Sequence, residues 1–170
     1  RGFGRRVGPG GLSAGKKLDE SVTLLLQGGD PGKSSWHARQ ARHVLSLLKK
    51  SGCDQMRSQV VVWSEKLQMA TAVDILGKSR DNKKLYIIEL KYCSHSTSSL
   101  KRCYKMSHPS TPRLRGMNLA NSLFNHHQFQ LRATVKLFKS NYNVDKKTKL
   151  IAGIIVACAD GGVLFYGLRP

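Results

Sequence analysis

The spacing of apolar and polar positions changes period several times along the chain, and each change marks an expected element. Over 35–50, Ala38, Ala41, Val44 or Leu45 and Leu48 recur at helical spacing, with Ser34 or Ser35 placed to cap the start and Gly52 to end it. Arg39, Arg42, Lys49 and Lys50 fall on the opposite face of that helix. Three strands follow. The segment 59–67 is Val-rich and holds Trp63, while 70–78 and 84–92 are joined through the turn Ser79-Arg80-Asp81-Asn82. The stretch 93–116, rich in Ser, Thr, Pro and basic residues, reads as a long loop. Over 118–140, Ala120, Phe124, Leu131, Val135 and Phe138 make one apolar stripe of a helix. The run 150–159 is apolar as in a strand covered on both faces, and 163–168 returns from it across Asp160-Gly161-Gly162. The expected fold is α/β, a central mixed sheet flanked by helices.

Two acids break the apolar strands, in Ala72-Val73-Asp74-Ile75-Leu76 and in Tyr86-Ile87-Ile88-Glu89-Leu90-Lys91. A carboxylate among β-branched aliphatics is costly unless a cation or hydrogen bonds compensate it. Residues i and i+2 of a strand share a face, so Glu89 and Lys91 point together. Asp, Glu and Lys grouped in this way suit a divalent metal and a phosphodiester. Asp74, a hairpin and then Glu89-Leu90-Lys91 resemble the core motif of the PD-(D/E)XK nuclease superfamily, over roughly 55–168. The resemblance implies a restriction-endonuclease-like fold and the superfamily's order of strand, turn, strand, long helix and last strand pair.

It also implies a catalytic site. Asp74 and Glu89, with the Leu90 carbonyl, would ligate Mg²⁺, a cation that takes hard oxygen ligands and keeps several waters. Lys91 would orient the attacking water or stabilise the developing charge. Superfamily members often add an acid from the helix before the sheet, but 36–50 holds none. Glu65 is the nearest substitute as a third metal ligand, and Glu20 a distant second. Some members also place a glutamine from the long helix at the metal, often followed by a tyrosine four residues on. Gln128, a polar break in the apolar stripe, is the expected match; Arg132 stands four residues after it, and Thr134 four after its neighbour Gln130.

Three other groupings carry less. Gly28-Gly29-Asp30-Pro31-Gly32-Lys33-Ser34 resembles a phosphate loop, but Gln27 stands where the first glycine is required, so a turn is the plainer reading. Cys93, His95, Cys103 and His108 are soft ligands whose spacing matches no common zinc module, and zinc is not expected. His126-His127 comes with no recognisable nucleophile motif.

Charge then changes the picture. The chain has twenty-nine Lys and Arg against ten Asp and Glu, a formal net charge of +19 in 170 residues. Such an excess implies a polyanionic partner, RNA rather than DNA. Residues 1–17 hold five basic residues and no acid in a glycine-rich context, and read as an extended arm. The expected division is therefore arm and linker over 1–34 and a nuclease-like domain over 35–170. Arg1, Arg5, Arg6, Lys16 and Lys17 of the arm, Arg39 and Arg42 of the first helix, and Lys101, Arg102, Arg113 and Arg115 of the long loop are the expected phosphate contacts. Four scattered cysteines and no visible secretory leader suggest a reducing interior, and no apolar run is long enough to span a bilayer. The start at Arg1 suggests a processed or truncated product, and the basic beginning favours a mitochondrial or other organellar matrix. Taken together, these features favour an RNA-binding structural subunit of a ribonucleoprotein particle, an organellar ribosome for example, with protein neighbours. An active Mg²⁺-dependent nuclease is the alternative.

Overall fold

The computed structural model describes residues 11–32, 34–115 and 118–168. Nine elements follow in the order α1 (Gly11–Leu26), α2 (Trp36–Lys50), β1 (Gln55–Ser64), β2 (Met69–Lys78), β3 (Lys84–Cys93), α3 (Thr97–Cys103), α4 (Leu123–Asn141), β4 (Lys149–Cys158) and β5 (Val163–Gly167). The strands form one mixed sheet ordered β1-β2-β3-β4-β5. β3 and β4 are parallel, with α3 and α4 in the crossover between them, and every other neighbouring pair is antiparallel. The sheet is covered on both sides. Leu18 and Val22 of α1 and Ala41, Val44 and Leu48 of α2 pack on Ile75, Ile88, Ile155 and Ala157. Leu131, Val135 and Phe138 of α4 pack on Ile87, Ile154 and Val156. Alternate residues of β4 thus enter opposite cores, as an apolar run covered on both faces requires.

The α/β class and the strand and helix succession agree with expectation, and the differences are local. The largest concerns the first segment. Residues 11–17 are helical rather than extended, and α1 belongs to the domain core, so the expected arm and linker over 1–34 does not describe this segment. Ala14, Leu18 and Val22 are buried at four-residue spacing, and the Ser21 hydroxyl donates to the Lys17 carbonyl at 2.7 Å. Arg1, Arg5 and Arg6 lie outside the described residues. β1 ends at Ser64 rather than 67 because the chain turns over 65–68, with Gln68 N–H donating to the Glu65 carbonyl at 3.1 Å. Within the expected 93–116 loop, Ser96 caps a short helix, α3, by accepting from the Ser99 N–H.

One irregularity positions the site. Met56 and Ile75 pack on the α1/α2 side, yet Val60, Val62 and Val73 pack on the α4 side. Regular alternation would keep 56 with 60, and 73 with 75. Both strands therefore slip by one face, β1 at Gln59 and β2 at Asp74, the two residues omitted from the ladder between Ser58↔Ile75 and Val60↔Val73. Gln59 absorbs the slip with φ of 53°, a left-handed conformation costing a non-glycine residue on the order of 1 kcal/mol.

If α1 is part of the core, Leu18→Ala should destabilise the domain by about 2–4 kcal/mol. The fall would be read in the urea unfolding midpoint, and an unchanged midpoint would return 11–26 to the status of an appendage.

Candidate functional site

β2 and β3 pair only from Lys78↔Leu85 to Ile75↔Ile88, whereas β3 stays paired with β4 as far as Cys93↔Cys158. Beyond Ile75 and Ile88 the two strands separate. Asp74 and Glu89 are the next residues along the two arms of this fork. An open cleft of about 640 Å³ begins there, lined by residues that include Lys16, Asp19, Asp74, Lys91, Tyr92 and Ser94.

Glu89 is only 1% exposed. Its Oε1 accepts from the Thr134 hydroxyl at 3.0 Å, and its Oε2 from Gln130 Nε2 at 2.9 Å and from Lys91 Nζ at 3.2 Å. The Lys91–Glu89 contact is also an ion pair whose lysine side chain keeps 21% of its exposure. Asp74 Oδ2 accepts the Leu90 N–H at 2.7 Å, which ties the carboxylate of one arm to the backbone of the other. Burial, and next the Glu89 charge, push the Asp74 carboxyl up to about 7, against the pull of the Leu90 N–H and of Lys91. Helix α1 adds a third acid. Asp19 accepts from Gln59 Nε2 at 3.0 and 2.9 Å on its two oxygens. Burial raises its pKa, the Gln59 bond opposes this, and Lys91, Glu20 and Glu89 all act on it at shorter weight.

The structure thus brings Asp74, Glu89 and Lys91 together and replaces two other expected members. Glu65 is exposed in the 65–68 turn at the far end of the hairpin, so it is no part of the site; the expectation relied on a strand that continued through 67. Gln128 donates to the Gly167 carbonyl at 3.1 Å, at the end of β5, while Gln130 reaches Glu89. Two residues along a helix differ by about 200° in direction, so only one of the two glutamines can face β3. Thr134, four residues after Gln130, also bonds Glu89. Asp19 was missed because its segment read as arm; the signal available was Ala14, Leu18 and Val22 at helical spacing around it.

Among the described residues, no three His, Cys, Asp or Glu side chains are grouped so as to hold a metal by themselves. His108 Nδ1 lies with Ser110 and Thr111, apart from Cys93 and His95, whose Sγ and Nδ1 are 3.7 Å apart. In the segment that resembled a phosphate loop, Asp30 accepts from the Gly32 N–H and pairs with Arg42 at 2.8 Å. Of the expected phosphate contacts, Arg39 donates to the Ser34 carbonyl, Lys16 lies 3.8 Å from Glu20, and Arg113 bonds Asn118. Lys17, Lys101, Arg102 and Arg115 are exposed. No described helix is long and apolar enough to cross a membrane. No protein-family profile matches this chain, and no curated protein matches it in sequence.

The raised Asp74 carboxyl has a consequence for stability. A folded pKa above the unfolded value means that stability is fully present below about pH 4 and falls as pH rises through about 7. Asp74→Asn keeps an acceptor for the Leu90 N–H and removes the charge. In metal-free buffer the variant should melt several degrees above wild type at pH 8, and the gain should vanish at pH 4. Thermal melts across that range check both the sign and the window.

Proposed function

We propose that this chain is a divalent-metal-dependent nuclease of the PD-(D/E)XK kind, with its site at the fork between β2 and β3. The observation that supports this best is the convergence of Asp74 and Glu89 from separating strands, with Lys91, Gln130 and Thr134 bonded to Glu89 and Asp19 facing the same cleft. The donor set fits Mg²⁺. All the acids offer hard oxygens, and Mg²⁺ is commonly held by one or two carboxylates with substrate phosphate and water completing its shell. A carboxyl raised to about 7 beside a second carboxylate also marks a surplus of negative charge that a divalent cation relieves. Bound there, Mg²⁺ would polarise the phosphate and lower the pKa of an attacking water.

The chain's own residues do the rest. The Leu90 N–H fixes the Asp74 rotamer across the fork. Thr134 and Gln130 fix that of Glu89, so neither carboxylate must reorganise when a ligand arrives. Lys91 reaches the cleft with its ammonium anchored on Glu89, where it can stabilise charge developing on a phosphoryl oxygen. Purified protein should cleave a generic nucleic acid in Mg²⁺ or Mn²⁺, and Asp74→Asn and Lys91→Ala should each lower the rate at least about 10²-fold. Gln130→Ala should lower both cleavage and melting temperature, because it takes a donor from the buried Glu89, whereas Gln128→Ala should lower the melting temperature alone. Cleavage that survives Asp74→Asn would sink the assignment.

A second reading, a structural subunit held on RNA, is favoured by the +19 charge and by exposed Lys101, Arg102 and Arg115. It predicts salt-sensitive co-sedimentation with a ribonucleoprotein particle and no metal-dependent cleavage.

A further inference from the structure

Helix α4 carries a basic face that no acid of its own balances. From Leu123 to Asn141 it holds no Asp or Glu, while Arg132, Lys136 and Lys139 recur at spacings of four and three residues and are all exposed. A helix face that is merely solvated tends to mix both signs of charge. Two open grooves, of about 430 and 610 Å³, lie beside this face and meet at Lys139 and Ser140, which line both. Arg132 and Lys136 wall the first, and Tyr142 and Lys146 the second. Among the described residues, ion pairs join Lys16 to Glu20, Arg42 to Asp30 and Lys91 to Glu89, so Lys136, Lys139 and Lys146 belong to none. Asp145, the acid on the lining of the larger groove, is occupied in a turn. Its Oδ1 accepts the Lys147 N–H and its carbonyl the Thr148 N–H, both at 2.9 Å.

Tyr142 adds an aromatic surface to the groove. It caps α4, its N–H donating to the Phe138 carbonyl at 2.9 Å, and its ring stacks on that of Phe138 with centroids 4.6 Å and planes 21° apart. Phe138 is buried in the core under α4, so the stack holds the Tyr142 ring in place, yet Tyr142 stays 41% exposed. With one face covered, the ring presents its other face and its edge. The Asn141 side chain accepts the Trp63 N–H at 2.7 Å, which anchors this end of the helix to the edge strand β1. An exposed aromatic on a rigid support, with lysines on both sides of it in the chain, suits a single strand: bases stack on such a ring while the cations follow the phosphates. A duplex keeps its base faces stacked on one another and cannot use the ring in this way.

We propose that the groove beside α4 binds single-stranded nucleic acid, with a base stacked on Tyr142 and neighbouring phosphates held by Lys136, Lys139 and Lys146. Stacking and phosphate contacts read no sequence, so binding tolerates any bases. No residue lines both this groove and the cleft at the β2–β3 fork, and the proposal does not depend on the hydrolytic reading. The two sites also differ in what they require. The fork gathers acids, so a phosphate there needs a cation; the groove gathers bases and needs none.

The test measures fluorescence anisotropy of a labelled mixed-sequence single strand, as RNA and as DNA, with the full chain in EDTA, so that no metal sits at the fork. The combined variant Lys136→Ser, Lys139→Ser and Lys146→Ser should weaken binding about 10-fold or more. Its slope of log K against log salt should be shallower by about 2, roughly 0.7 for each phosphate contact on a single strand. A second triple variant, Lys49→Ser, Lys50→Ser and Lys66→Ser, removes the same charge from exposed positions elsewhere and should bind almost as well as wild type. Tyr142→Leu should weaken binding about 5-fold or more, the low end for one base–aromatic stack, and Tyr142→Phe should keep it. A blunt duplex should be indifferent to Tyr142→Leu. Equal losses in the two lysine triples would overturn the proposal, leaving diffuse charge as the cause. Wild-type affinity in the groove triple or in Tyr142→Leu, or no binding of either strand by wild type, would overturn it as well. Should Tyr142→Leu fail to fold, the two lysine triples, all at exposed positions, still decide. Binding of the expected pattern with no cleavage in Mg²⁺ would refute the nuclease reading while the groove stands, and cleavage without binding in EDTA would do the reverse.

Discussion

A carboxylate at 1% exposure in the middle strand of a sheet is unstable by several kcal/mol unless its oxygens are met, and Glu89 is such a group. Three side chains from two elements are arranged to meet it. β3 supplies Lys91 through the two-residue period of a strand, and α4 supplies Gln130 and Thr134 through the four-residue period of a helix. α4 must therefore cross the sheet at one height. Leu131, Val135 and Phe138 would pack on the same apolar surface at several heights, whereas the Glu89 bonds select one. The helix-to-sheet register is thus specified by a polar contact within an otherwise apolar interface.

The same demand explains the slip in the hairpin. With regular alternation through 73–76, Val73 and Ile75 would share a face and Asp74 would point away from both. The left-handed Gln59 and the unpaired Asp74 invert the faces of both strands at one level, which frees the Asp74 carboxylate to accept across the fork from Leu90. Gln59 then offsets its own strain in part by holding both oxygens of Asp19, which docks α1 to the sheet edge. A local irregularity therefore joins three elements at the point where the acids meet.

Much of this was legible in the sequence, and the rest was not for identifiable reasons. The helix over 36–50 and the strands carrying Asp74 and Glu89 follow from spacing, caps and turn residues, because apolar positions dominate each segment despite the two acids. Asp74, Glu89 and Lys91 were found because acids inside apolar strands are rare enough to demand a cause. α1 was hidden by the glycine-rich, basic residues that precede it, which swayed the reading of a stretch where Ala14, Leu18 and Val22 already had helical spacing. With α1 misread, Asp19 was out of reach, and Glu65 filled the gap until the turn at 65–68 removed it. The choice between Gln128 and Gln130 depended on the rotation of α4. Gln128 interrupts the stripe and Gln130 flanks it, and only the partner surfaces, β5 for one and Glu89 for the other, separate their roles.

The balance of charge bears on what the cleft is for. A chain with a formal charge of +19 has ample means to hold a phosphate backbone with exposed lysines and arginines, and such contacts need no buried acids. The fork nevertheless brings Asp19, Asp74 and Glu89, three of the chain's ten acids, within electrostatic reach of Lys91 and of one another. Without a cation this arrangement raises the Asp74 carboxyl and costs folding free energy. Apolar side chains of similar size would pack there with greater stability. It would also repel any phosphate that the basic surplus of the chain drew in. On the proposed reading, a divalent ion between the acids and a phosphate would reverse both effects: it would relieve the carboxylate repulsion and let an anionic group be held there. Under the proposed nuclease reading, that ion would reconcile the acids of the cleft with the basic surplus of the chain, and a phosphodiester beside it would be positioned for attack.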